Sequence, residues 1–170
     1  HSLGEPVHHQ SRRSSGQRDT QVIPHRWIIS AVRDRVQANI NLVSDIEYPG
    51  MRLDKRALTK WLEVLVLSSS SKRKQRQDKD RRKVQILFRI WCKEDGNIYT
   101  HQKIAEQIAQ AFDRGLCQSI IDRGTVGSPQ IGTLTFFEPT TTNRTPDSES
   151  RLRTTTRCLV ISLSAIAQEN

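Results

Sequence analysis

Four stretches of this chain alternate apolar and polar residues with period two, and two others repeat apolar residues at three- and four-residue spacing. The alternating stretches predict strands over Leu58–Ser68, Lys83–Lys93, Ile131–Phe137 and Arg157–Ile166. Leu62, Val64 and Val66 share one face of the first, and Val84, Ile86, Phe88, Ile90 and Cys92 share one face of the second. Leu159, Ile161, Leu163 and Ala165 do the same in the last. One predicted helix begins at Pro24, a residue suited to a first helical turn, and ends near Asn41. Its stripe is Trp27, Ile28, Ala31, Val32, Arg35, Val36 and Ile40. The other is HQKIAEQIAQAFDRG, with Thr100 able to cap it and Gly115 as its stop. Ile104, Ala105, Ile108, Ala109 and Phe112 form its apolar stripe.

The order helix, strand, strand, helix, strand, strand predicts an α+β domain. The expected architecture is a four-stranded, mainly antiparallel sheet with two helices on one face. Its core should hold Trp27, Val32, Leu62, Val64, Ile86, Phe88, Ile90, Ile104, Ile108, Phe112, Leu159, Ile161 and Leu163. The opposite face of the first two strands is mixed. It carries Trp61, Leu65, Leu67, Leu87 and Trp91 among Glu63, Gln85 and Arg89. That much apolar surface implies either a second layer within the monomer or a subunit interface.

Two connections are far longer than the roughly two to five residues common in hairpins. The first, SSSSKRKQRQDKDRRK, spans Ser68–Lys83; the second begins EPTTTNRTPDSESR at Glu138 and runs to 157. Loops of such length are usually functional or disordered, so they read as arms that reach a partner. Together with the polar segment 1–21, they divide the sequence into a flexible N-terminal arm and one α+β domain over 22–170, with long loops at 68–83 and 138–157.

Composition sharpens this picture. Hydrophobic residues make up only 35% of the 170 residues, and the shortfall is concentrated in those three segments. The formal net charge is +9. In the first tip, Lys72, Arg73, Lys74, Arg76, Lys79, Arg81, Arg82 and Lys83 face only Asp78 and Asp80, a net +6. Such a cluster can meet nucleic acid or an acidic protein surface, or be a solvated charge run. No aromatic residue interleaves it, which leaves base stacking unsupported. Cys92, Cys117 and Cys158 lack metal-ligand spacing, and the first and last fall in strand patterns as small buried side chains in a reducing compartment. No apolar run approaches the length of a membrane span, and no signal peptide is evident. The chain starts at His1 without Met, which suggests processing or truncation there.

No catalytic or metal constellation emerges. His1, His8 and His9 lie in the polar arm, and His101 falls in a first helical turn, where a surface position is expected. Asp78 and Asp80 sit among cations and make a poor Mg²⁺ pair. Asp122-Arg123-Gly124 reads as a plain turn. A modest core, two long arms and no reactive cluster read as an assembly part that binds through strand addition or loop ordering, with no cofactor.

Three segments in their order carry a resemblance over Val22–Ile166. They are the helix QVIPHRWIISAVRDRVQANI, the module VQILFRIWCKEDGNIYTHQKIAEQIAQAFDRG, and the closing strand TTTRCLVISLSAIA. The pattern resembles the tail terminator proteins of long-tailed bacteriophages, also called tail completion or head–tail joining proteins. The resemblance implies a virion protein, assembled in the host cytoplasm. It would form a homo-oligomeric ring, typically a hexamer, that caps the tail tube and contacts neck or adaptor proteins. Trp61, Leu65, Leu87 and Trp91, with Lys72, Arg73, Lys74, Arg76, Arg81 and Arg82, are the expected interface residues, and the basic tip could touch passing DNA without reading sequence. Another neck or tail-tube protein, or a small basic nucleic-acid-binding module, are the alternatives. No contact with a membrane is expected.

Overall fold

A computed structural model describes residues 23–69, 81–93, 99–144 and 156–170 of the chain. The elements run α1 (His25–Asn39), β1 (Ile46–Glu47), β2 (Lys60–Ser69), β3 (Arg81–Lys93), α2 (Thr100–Ala111), β4 (Cys117–Ile121), β5 (Gln130–Phe136), β6 (Thr140–Asn143) and β7 (Thr156–Glu169). One sheet has the order β1-β2-β3-β7-β5-β4, and β6 also pairs with β7. The class is α+β, as the pattern predicts, but the sheet has seven described strands rather than four.

The three extra strands each have a physical cause outside their own sequence. β1 is two residues long and pairs in parallel with β2, Ile46 opposite Leu62. β4 carries only two apolar side chains and owes its strand form to antiparallel pairing with β5. β6 lies inside the stretch expected to be loop. β5 pairs with the end of β7, Phe136 opposite Ala165, and β6 pairs further back, Thr140 opposite Ser162. Between them the Phe137 N–H donates to the Ser164 carbonyl at 2.9 Å. β5 and β6 are therefore one interrupted strand that follows β7. The arm 1–21 and the residues Lys72, Arg73, Lys74 and Arg76 lie outside the described residues.

Alternation holds along the long strands. β2 and β3 pair from Lys60↔Cys92 to Ser69↔Lys83, and β3 and β7 from Arg81↔Gln168 to Lys93↔Thr156. One face of these strands and both helices close a single core. Every predicted core residue is buried except Trp27, which is partly buried and packs on the cluster edge. Phe88, Phe112 and Phe136 form a continuous aromatic column, with centroids 4.9 and 5.0 Å apart. Arg35, on the apolar stripe of α1, keeps its charge useful there. Its Nε donates to the Ala111 carbonyl at 2.6 Å, one of the last carbonyls of α2, which lack intrahelical partners.

Two termini of α2 differ from expectation. Thr100 is the first helical residue, Tyr99 precedes it, and no side chain caps the end. Gly115 lies past the helix with φ +83° and donates its N–H to Phe136 at 2.9 Å. His101 is buried, not on the surface, because its turn faces the sheet. Burial, then the nearby Arg157 charge, lower its pKa. Asp122-Arg123-Gly124 also has more content than a plain turn: Arg123 pairs with Asp34 at 2.6 Å and ties the loop to α1. Gly132 of β5 sits where a side chain would collide with β7. A Cβ there would stand 2.6 Å from the Gln168 carbonyl oxygen and 2.8 Å from Ile23 Cδ1.

Candidate interaction face

The helices cover one side of the sheet, and the register defines the other side row by row. Trp61, Trp91 and Cys158 form a row; so do Glu63, Arg89 and Val160; then Leu65, Leu87 and Ser162; then Leu67, Gln85 and Ser164; and last Ser69, Lys83 and Ile166. This outer face has two unlike ends.

At the Trp61 end the chain covers itself. The segment between β1 and β2 folds back, and Lys55 sits at the centre of the contact. Its Nζ lies 2.6 Å from Glu63 Oε1 and 3.2 Å from Glu47 Oε1. Lys93 donates to the carbonyls of Lys55 and Arg56 at 3.3 and 3.0 Å, and its ammonium lies over the Trp61 ring. Trp61 stacks on Trp91 at 5.9 Å and is only 7% exposed. Glu63, with a side chain 15% exposed, is also 3.7 Å from Arg89. Burial opposes its ionisation, but the Lys55 ammonium together with the indole N–H groups of Trp91 and Trp61 holds the carboxyl below its usual range.

At the other end the face is open. Leu67 is 56% exposed and Phe137 is 42% exposed. With Ile166, Lys83 and Gln85 they line a groove of about 600 Å³. The groove floor is β3 and β7, each hydrogen-bonded on both sides. The start of α1 is fastened beside it: His25 Nδ1 and Ser68 Oγ are 2.6 Å apart, and Arg82 donates to the Ile23 carbonyl. Burial, with Arg82 second, lowers the His25 pKa.

The expected interface residues are thus divided. Leu65, Leu87 and Trp91 are half-buried on the outer face, while Trp61 is buried beneath the chain's own segment. Arg81 lies on the outer side by register, whereas Arg82 turns to the helix side. Leu67, expected on the mixed face, and Lys83, expected in the basic tip, complete the open end with Phe137 and Ile166, which were not expected there. The run IGTLTFF held the signal for Phe137: with Phe136 inward, strand alternation turns the next residue outward.

Among the described residues, no group of three or more His, Cys, Asp or Glu side chains is placed to hold a metal ion. Cys92 and Cys158 are buried, as expected, and Cys117 is exposed. No described helix is long and apolar enough to cross a membrane. No protein-family model matches the chain, and no curated protein matches its sequence.

Proposed function

We propose that this chain is a structural assembly protein whose uncovered sheet face packs on another subunit. The single observation behind this reading is the open end of that face. Leu65 and Leu87 lie half-buried at mid-sheet, and Leu67 and Phe137 beyond them are 56% and 42% exposed, an apolar patch of the kind that marks a contact site. Following the sequence resemblance, the assembly is a ring, a hexamer, at the end of a phage tail tube, where the chain joins tube to neck or adaptor proteins in the virion. Each subunit has sheet edges, β4 on one side and the short β1 on the other, and a contact that closes on itself gives a ring.

The experiment is sedimentation of the full chain at several concentrations, alone and with purified tail tubes. A closed oligomer, or co-sedimentation with tubes, is the expected result, and Leu67→Asp should weaken it. A strict monomer in every mixture overturns the reading.

A further inference from the structure

The two edges of the sheet are finished differently, and the difference points to a contact that the assembly reading does not itself require. We infer that the edge of β2 pairs with β2 of a second copy of this chain, antiparallel about a two-fold at Val66, so that two sheets become one.

Register decides which backbone groups are free. The Lys93 N–H donates to the Thr59 carbonyl at 2.8 Å, so odd-numbered residues along β2 turn their backbone groups toward β3. Even-numbered residues turn theirs the other way, as Leu62 does when its N–H donates to the Asp45 carbonyl at 2.9 Å. β1 occupies that side opposite Leu62 and Glu63, and the chain then turns at residues 48–51. Beyond Glu63, among the described residues, no strand pairs with the outward side of β2. Val66 and Ser68 therefore carry unpaired backbone groups along the edge. Solvent reaches this end: Leu67 is 56% exposed, and Ser68 and Ser69 line the open groove.

The opposite edge is blunted. The Phe136 N–H donates to the Leu116 carbonyl, which turns Leu116 toward β5 and Cys117 outward. Arg35 then takes the Cys117 carbonyl at 3.3 Å, and a bulge interrupts β4 between Ile120 and Ile121. Bulges and edge charges are devices that keep exposed edges from pairing. β2 has neither beyond Glu63. Its register with β3 runs unbroken from Lys60 to Ser69, and residues 64–69 include no Pro and no charge.

That stretch is complementary to itself. A two-fold at Val66 sets Val66 opposite Val66, Val64 opposite Ser68 and Leu65 opposite Leu67. Even positions meet even positions, so free backbone groups face free backbone groups. Val66 would exchange both bonds with its copy, and each Ser68 N–H would donate to a Val64 carbonyl. On the outer face each exposed Leu67 would gain Leu65 of the other copy as a cross-strand neighbour. An isologous contact of this kind closes at two copies, which leaves any ring to the sheet face.

The test is sedimentation of the full chain over a wide concentration range, with circular dichroism to confirm that variants fold. Val66→Pro and Ser68→Pro each remove an N–H that points away from β3, so the ladder within the monomer keeps its bonds. The expected result is a dimer whose dissociation constant rises at least about tenfold in either variant. A charge swap checks the register without touching the backbone. Leu65→Glu with Leu67→Glu in one preparation, and Leu65→Lys with Leu67→Lys in another, should each stay monomeric and should pair on mixing. Swapped variants that fail to pair on mixing overturn the inference. A dimer that both proline variants leave unchanged also overturns it, and if Leu67→Asp abolishes that dimer, the sheet face carries the contact and the assembly reading stands. A strict monomer overturns it as well, while co-sedimentation of that monomer with tail tubes would preserve the assembly reading.

Discussion

The two ends of the outer sheet face are built on the same three strands, yet they meet solvent differently. At one end Trp61 and Trp91 stack, and the chain folds over them through Lys55, Glu47 and Lys93. At the other, Leu67 and Phe137 stand exposed. The sheet itself does not decide this, since alternation places large apolar side chains on that face at both ends. What differs is connection. A segment of about a dozen residues returns along the Trp61 end, whereas no described segment does so beside Leu67. Polar contacts fasten the cover: Lys55 pairs with the mostly buried Glu63, which Arg89 also approaches, and Lys93 holds the Lys55 and Arg56 carbonyls. A face can thus be satisfied within the chain at one end and stay exposed at the other.

That contrast can be tested by stability measurements. The inner face sets the upper limit. Phe88→Ala, at the centre of the aromatic column, should cost about 3–5 kcal/mol in urea unfolding. A cost under about 1 kcal/mol would show that the column is not the core. The self-covered end comes next. Lys55→Ala leaves Glu63 half-served and should cost about 1–2 kcal/mol, with a rise in tryptophan exposure to quenchers as the cover loosens. Unchanged quenching would show that the segment stays in place without its ion pair.

A pH series isolates the same contact. The folded Glu63 carboxyl titrates below its unfolded value of about 4.3, so the native state binds fewer protons there. Its contribution is present above that pH and is lost as pH falls through the lower folded value. Glu63→Gln should remove that part of the acid dependence, and an unaltered profile would assign it elsewhere. The open end should respond least. Leu67→Ser is expected to change stability by no more than about 0.5 kcal/mol while reducing assembly. A loss of several kcal/mol would mean that Leu67 is covered within the monomer after all.

Long alternating runs made much of this fold legible. β2, β3 and β7 place Val64, Phe88 and Ile161 on one face because period two is a property of the strand backbone itself, and burial follows it. The short strands could not be read in the same way. TTTN has no apolar member, and it becomes β6 because Leu159–Ser162 offers it backbone partners. Ile46–Glu47 is a strand only through its contact with β2. The site was half legible for a related reason. The mixed face was visible in the spacing of Trp61, Leu65, Leu87 and Trp91, but its division was not. Whether Lys55 reaches Glu63 depends on how a non-repeating segment turns back, and nothing in LDKRALT encodes that by period.

The long connections leave the sheet at opposite ends: β2 passes to β3 beside the last residues of β7, and β6 passes to β7 beside Lys93. The element between those ends is β7, whose 14 residues reach about 45 Å. It is bonded to β3 on one flank and to β5 and β6 on the other. Tension between the ends would run along the strands, so it would load these ladders in shear. Hydrogen bonds loaded that way yield together, not one after another as in peeling. A body held at one end and a second body held at the other would be joined by a tie rod, with a strand bonded on both flanks lying on the line of force.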